Sequence, residues 1–319
     1  MIRAPFCNQN YWDRWIGFLE EKIADQVETL KGPSANPQYR PQYAFTLVTS
    51  HLSLMLMRYS RGDAFANVGR DFLPMVSAWE EAERLHLERM SPDEYWRKFD
   101  WSKNLDHYIF CFWLAGLALS LNLPEDQWLR LIALIGNEGK DQLLDRVLAT
   151  RQPTRLIGSH LCHPKPYRGL QLVLDSSEGE HAMLLKDFVE HWYEGLNRNP
   201  GNKKLSNEAA IYERPYWYRY GQTNMAGGAY FGQWCIEAVA VVKAFGVNDQ
   251  LCLGHPQYPG DLLRPGQVTA PDMARLPEVL QAWSTYGEAE ETVLDDHRSL
   301  VRKDVGIVAW LARFLGKKN

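Results

Sequence analysis

Apolar residues recur at three- and four-residue steps along most of this chain, with charges between them, and that spacing predicts helices rather than strands. The stretch YWDRWIGFLEEKIADQVETL puts Trp12, Trp15, Ile16, Leu19, Ile23 and Val27 on one face before Gly32-Pro33 stops it. From Gln42 to Arg61 the apolar set is Phe45, Leu47, Val48, Leu52, Leu56 and Tyr59. Gly62 breaks that run, and Asp63 is expected to cap the next segment. Ala64 to Met90 continues helically, its EEAERLHLER portion reading as a solvated face. Ser91-Pro92-Asp93-Glu94 has the order of an N-cap, a first-turn proline and two first-turn acids. Further helices follow at Tyr108 to Leu121, after Pro124-Glu125-Asp126, and at Asp141 to Ala149.

Residues 151–168, RQPTRLIGSHLCHPKPYR, hold three prolines and no sustained period, and read as a linker or crossover. The expected organisation is an N-terminal helical domain over 1–150 and a C-terminal one over 169–319. In the latter, Gly169 to Asp175 and Gly179 to Leu196 read as helices. The run NMAGGAYFGQWCIEAVAVVKAFG reads as one long apolar helix carrying Gly227, Tyr230, Phe231, Trp234, Ala238, Val241, Val242 and Phe245, closed by Gly246. Its Gly227, Gly228, Gly232, Ala238 and Ala240 are expected to let another helix approach. Two final helices are expected near Ala274 to Tyr286 and Ser299 to Leu315. No alternating period-two run is present, so the fold class is all-α: a two-part helical bundle or a helical-repeat-like array.

Composition narrows the function. A formal net charge of −4 and no long Lys/Arg stripe argue against direct nucleic-acid binding. Five scattered cysteines without CxxC spacing suit free thiols in a reducing compartment. The N-terminus lacks the apolar stretch of a signal peptide, so cytoplasmic residence is expected. The most apolar run, YIFCFWLAGLALSL, has about fourteen residues against the roughly twenty that span a bilayer, and reads as a core helix.

Candidate chemistry is thin. His160, Cys162, His163, Cys252 and His255 are zinc-ligand types, and a metal-dependent hydrolase built on these loops is the alternative reading. Their spacing matches no structural zinc pattern, and a His before Pro is held extended by the following ring in any case. No GxSxG, phosphate loop, HExxH or dinucleotide fingerprint is present. Glu178/Glu180 and Asp295/Asp296 could pair as acid and base, although acids on solvated faces look the same. No catalytic, metal-binding or cofactor-binding set is assigned. The acids of DSSEGE and GEAEETVLDDHR, namely Asp175, Glu178, Glu180, Glu288, Glu290, Glu291, Asp295 and Asp296, suggest a surface that steers a basic protein partner. A helical scaffold for several partners is a further alternative.

One stretch is more specific. GAYFGQWCIEAVAVVKAFGVNDQLCLGHPQYPGDL resembles the C-terminal signature of the PoNi-like immunity proteins of bacterial type VI secretion: WxxEAxAxxK, a short loop, then HPxYPxDL. YWDRWIGFLEEKI, RYSRGD, LLDRVLATRQP with HPKPYRGLQLVLD, and FVEHWYEGL resemble further family segments, in order, over about residues 11 to 263. Gly260 stands where the family pattern suggests a bulky residue. The resemblance implies a non-catalytic cytoplasmic antidote that binds a cognate toxin, usually a DNA-degrading nuclease. It also implies that Gly227, Trp234, Glu237, Lys243, Gly246, His255, Pro256, Tyr258, Pro259 and Asp261 build the fold, with GHPQYPGDL as a rigid turn.

Overall fold

The computed structural model describes residues 1–34, 36–197, 215–218, 220–267, 269–276 and 280. Its helices are α1 (Gln9–Lys31), α2 (Arg40–Arg61), α3 (Phe65–Gly69), α4 (Phe72–Arg89), α5 (Pro92–Phe99), α6 (Leu105–Ser120), α7 (Glu125–Ile135), α8 (Gln142–Ala149), α9 (Pro164–Asp175), α10 (His181–Gly195), α11 (Tyr220–Thr223) and α12 (Ile236–Phe245). No strand occurs among the described residues, so the chain is all-α.

Local chemistry explains several boundaries. Asn8 caps α1 by accepting from the Tyr11 amide at 3.1 Å, and Asp141 caps α8 by accepting from the amides of Leu143 and Leu144. Gly62 closes α2 at φ 102°, and a Cβ there would sit 2.0 Å from the Met1 carbonyl oxygen.

Two helices form the inside. Every residue of α6 is buried, as is α2 from Pro41 to Ser60 apart from Tyr43, so periodicity gives way to burial all round. α2 packs on α1 and α4, while α6 packs on α12. Gly116 makes the second contact possible: a Cβ there would lie 2.6 Å from Ile236 Cγ2 and 3.2 Å from Ala240 Cβ. Buried apolar residues from both halves of the chain belong to one contiguous core.

Several expected elements differ in detail. The run from Ala64 is broken at Arg70-Asp71 into α3 and α4. Ala64 rather than Asp63 occupies the α3 cap position, because Arg61 holds both Asp63 oxygens at 2.6 Å. α9 starts at Pro164, inside the segment read as a linker. Arg155 and His163 of that segment are buried, the first on Asp145 at 2.7 Å and the second donating from Nε2 to the Trp101 carbonyl at 2.8 Å. Glu178–Glu180 is a single 3-10 turn before α10, and Met273–Arg275 another.

The largest correction concerns the apolar run from Asn224. Only Ile236–Phe245 is helical, and Gly228 and Gly232 adopt φ +74° and +95°. Side chains of other elements take the backbone groups a helix would have used. Tyr11 Oη donates to the Tyr230 carbonyl at 2.7 Å and accepts from its amide at 3.0 Å, and Ser60 Oγ donates to the Phe231 carbonyl at 2.8 Å. Gly228 and Gly232 therefore serve turns and close approach to Trp15 and Ser60, not helix contact. The remaining expected helices, from Pro277 onward except Leu280, lie outside the described residues.

Candidate functional site

Two signature residues, Trp234 and Asp261, meet the end of α2. Trp234 is buried, meets the Tyr59 ring edge-on with centroids 5.0 Å apart, and donates from Nε1 to Ser60 Oγ at 2.9 Å. Asp261 accepts from Arg3 Nε and from Tyr59 Oη, tying the N-terminal segment and α2 to the Pro-rich loop. Arg3 extends the tie by donating to the Tyr59 and Asp63 carbonyls at 3.0 Å each.

In GHPQYPGDL, Tyr258 Oη donates to Asp249 Oδ2 at 2.6 Å, three residues past the α12 end at Gly246. Arg264 Nη1 donates to the same oxygen at 2.9 Å. His255 is buried, its Nδ1 accepting from the Gln257 amide at 3.2 Å. Burial, reinforced by Arg275, lowers its pKa to about 4, so it is a neutral turn residue. Pro256 and Pro259 are buried. Gly260 is buried against Tyr258 and Leu253, and a Cβ would meet them at 2.8 and 2.9 Å; Tyr258 fills the volume that a bulky side chain at 260 would need.

Glu237 lies fully buried on α12, accepting from Tyr167 Oη at 2.7 Å and from Trp192 Nε1 at 3.4 Å. Burial raises its carboxyl to about 7, against which these hydrogen bonds act. Lys243 is exposed, Gly246 closes α12 at φ +69°, and Gly227 sits in a turn against the Asn224 side chain. Arg3, Tyr59, Asp249, Tyr167 and Trp192 complete these clusters. Each lies on a different local segment from the residue it holds, and no spacing rule links them.

The histidines and cysteines do not assemble. Among the described residues no group of three or more His, Cys, Asp or Glu side chains could hold a metal ion. Burial pushes the Cys162 and Cys252 thiols up to about 12, far from thiolate chemistry at neutral pH. All five cysteines are free thiols, and no described helix is long and apolar enough to cross a membrane.

Of the acids read as a partner surface, Asp175, Glu178 and Glu180 come together at the exposed corner between α9 and α10. Asp175 pairs with Arg146 at 2.6 Å. Glu180 closes a capping box with Ser177, and Glu178 makes no ion pair among the described residues. Exposed Met183 and Asp187 follow on α10. Glu288, Glu290, Glu291, Asp295 and Asp296 lie outside the described residues.

The distinctive residues of this all-α chain make internal ties, and its family is given by comparison. The model for the PoNe immunity protein (PoNi), N-terminal, matches residues 3–133, and that for PoNe immunity proteins (PoNi), C-terminal, matches residues 139–262. The chain belongs to the PoNe immunity protein family. Protein PA2201 from Pseudomonas aeruginosa, known from its crystal structure, has the same fold. Its TM-score is 0.58 at 18% sequence identity, over 82% of this chain and 91% of that one. No curated protein matches the chain.

Proposed function

We propose that this immunity protein protects its cell by binding a cognate PoNe toxin, a DNA-degrading nuclease of type VI secretion, in the cytoplasm and blocking its active surface without catalysis of its own. The observation that carries this reading is the family match over both halves of the chain, residues 3–133 and 139–262. The interface is proposed at the α9/α10 corner, with Asp175, Glu178 and Glu180, extended by Glu288, Glu290, Glu291, Asp295 and Asp296. A nuclease surface that attracts phosphate is basic, and an acidic patch complements it. The division into 1–150 and 169–319 remains part of the proposal.

The test is co-expression with the nuclease toxin encoded alongside, followed by size exclusion and a DNA-cleavage assay. One-to-one co-elution with loss of cleavage is the expected result. An active toxin that neither co-elutes nor loses activity overturns the pairing.

A further inference from the structure

A cleft of about 60 Å³ opens between α2, the end of α5, the start of α6 and residues 215–217. That volume is several times what one water needs. Phe45, Thr49, Leu52, Ser53 and Leu56 fall on one face of α2 and form one wall; Phe110 and Trp113 of α6 face them, with Trp217 and Phe231 beyond. Apolar and aromatic side chains thus dominate a space that remains connected to solvent, and such surface gains free energy when an apolar body displaces its water.

The polar groups of the wall are few and incompletely paired. Lys98 Nζ lies 5.2 Å from the Phe99 centroid and 5.8 Å from that of Phe45, and no carboxylate pairs with it among the described residues. Ser53 Oγ makes no hydrogen bond there either, and Ser53 also lines a second small cavity shared with Trp15, Met57 and Tyr220. Asp106 Oδ1 accepts from the Tyr216 amide at 2.9 Å, while Oδ2 is buried with no partner among the described residues. Burial raises the Asp106 carboxyl to about 8, and burial together with Lys98 lowers His107 to about 3. Nearby His86 is likewise lowered to about 4, and the buried Tyr216 phenol is raised. Near pH 7 these groups are uncharged, whereas Lys98, lowered by burial to about 8, is still largely protonated. Among the described residues, Lys98 thus sets a positive charge beside an aromatic cage with no carboxylate paired to it.

We propose that this cleft binds a small aromatic carboxylate, its ring between α2 and α6 and its carboxylate paired with Lys98. The charge assigns the anion, and the rings of Phe45, Phe99, Phe110 and Trp113 assign the aromatic body. This function is separate from toxin binding and stands without it.

Calorimetric titration of the full chain with phenylacetate and with its neutral isostere phenylacetamide tests the assignment at pH 7. The expected result is binding of the acid at least tenfold tighter than the amide. Lys98→Met should remove that preference, and Ser53→Leu, which fills the cleft while keeping a good helix former on α2, should weaken both ligands together. The wild-type comparison needs no variant and decides the matter even where Lys98→Met does not fold. No binding of phenylacetate at millimolar concentration, equal binding of acid and amide, or an acid preference that survives in folded Lys98→Met overturns the proposal.

Discussion

Tyr167 Oη reaches Glu237 Oε1 at 2.7 Å in a fully buried space between α9 and α12, and among the described residues Glu237 Oε2 makes no hydrogen bond. Removing the donor leaves a buried acceptor short of a hydrogen bond, so Tyr167→Phe is expected to cost about 1–3 kcal/mol in urea unfolding. The carboxyl itself gives a pH signature. Its folded pKa, about 7, lies above the ordinary 4.5, so its stabilising contribution is complete below about 4.5 and is lost as pH rises through 7. Asp106, raised to about 8, acts in the same direction over a wider window. Glu237→Gln should flatten the fall in melting temperature between about pH 4.5 and 7; an unchanged slope would refute this account.

Lys22 predicts the opposite sign. Its Nζ is buried with no hydrogen-bond partner among the described residues, and burial lowers its pKa from 10.5 to about 8. The folded state then holds fewer protons than the unfolded chain between about 8 and 10.5, and stability rises with pH across that window. Lys22→Met keeps the aliphatic stem and removes the charge, so it should stabilise the protein at pH 7 by about 1–3 kcal/mol. Equilibrium denaturation of both forms at neutral and alkaline pH measures the effect, and the gain should shrink as pH rises.

Two glycines with positive φ should respond very differently to alanine. At Gly228 a Cβ would sit 2.3 Å from Trp15 Cδ2, whereas at Gly246 nothing lies within 4 Å. Gly246→Ala carries only the left-handed backbone penalty, about 1 kcal/mol. Gly228→Ala adds displacement of a buried indole and is expected to cost about 2–5 kcal/mol in total. Comparable losses at the two sites in thermal or chemical melts would contradict the packing argument.

Arg155 and Asp145 form an ion pair in which the side chains are 2% and 0% exposed. Removing one member strands a buried charge, so Arg155→Met is expected to cost about 3–5 kcal/mol, and the double change Arg155→Met with Asp145→Leu considerably less. Leu156 and Ile157, exposed on the loop that Arg155 anchors, should then become protease-sensitive in the single variant. A double-mutant cycle read by denaturant midpoints, with limited proteolysis alongside, checks both outcomes.

At the α9/α10 corner, charge reversal separates interface from scaffold. Glu178→Lys breaks no ion pair among the described residues and should leave the melting temperature unchanged, while slowing association with a basic toxin several-fold, most at low salt. Asp175→Lys also loses the Arg146 pair. Stopped-flow association rates at two salt concentrations discriminate, and a rate indifferent to both substitutions removes this corner from the interface.

Helices governed by a single amphipathic face were readable. Trp12, Trp15, Ile16 and Leu19 are buried along α1 as their spacing requires, and the apolar run from Tyr108 lies in a helix buried on every side as far as Ser120, with Leu121 at its C-terminal cap. The run from Asn224 misled because period alone does not decide which groups satisfy the backbone. Tyr11 and Ser60, 171 or more residues away, supply partners that free Tyr230 and Phe231 from helix. The HPxYPxDL turn was legible through its prolines, yet not the use of Asp261, which is fixed by Arg3 and Tyr59.

Local pattern was enough for the all-α class, for the breaks at Gly62 and Gly246 and, through the signature stretches, for the immunity-protein family. These depend on residues within a turn or two of one another, or on a motif carried in one piece. Tertiary packing alone brings Glu237 to Tyr167, admits α12 at Gly116, and sets Lys98 in a cleft that Asp106 also lines, with no carboxylate paired to it among the described residues. Burial and long-range hydrogen bonding set those relationships, and both depend on which distant segments exclude water together.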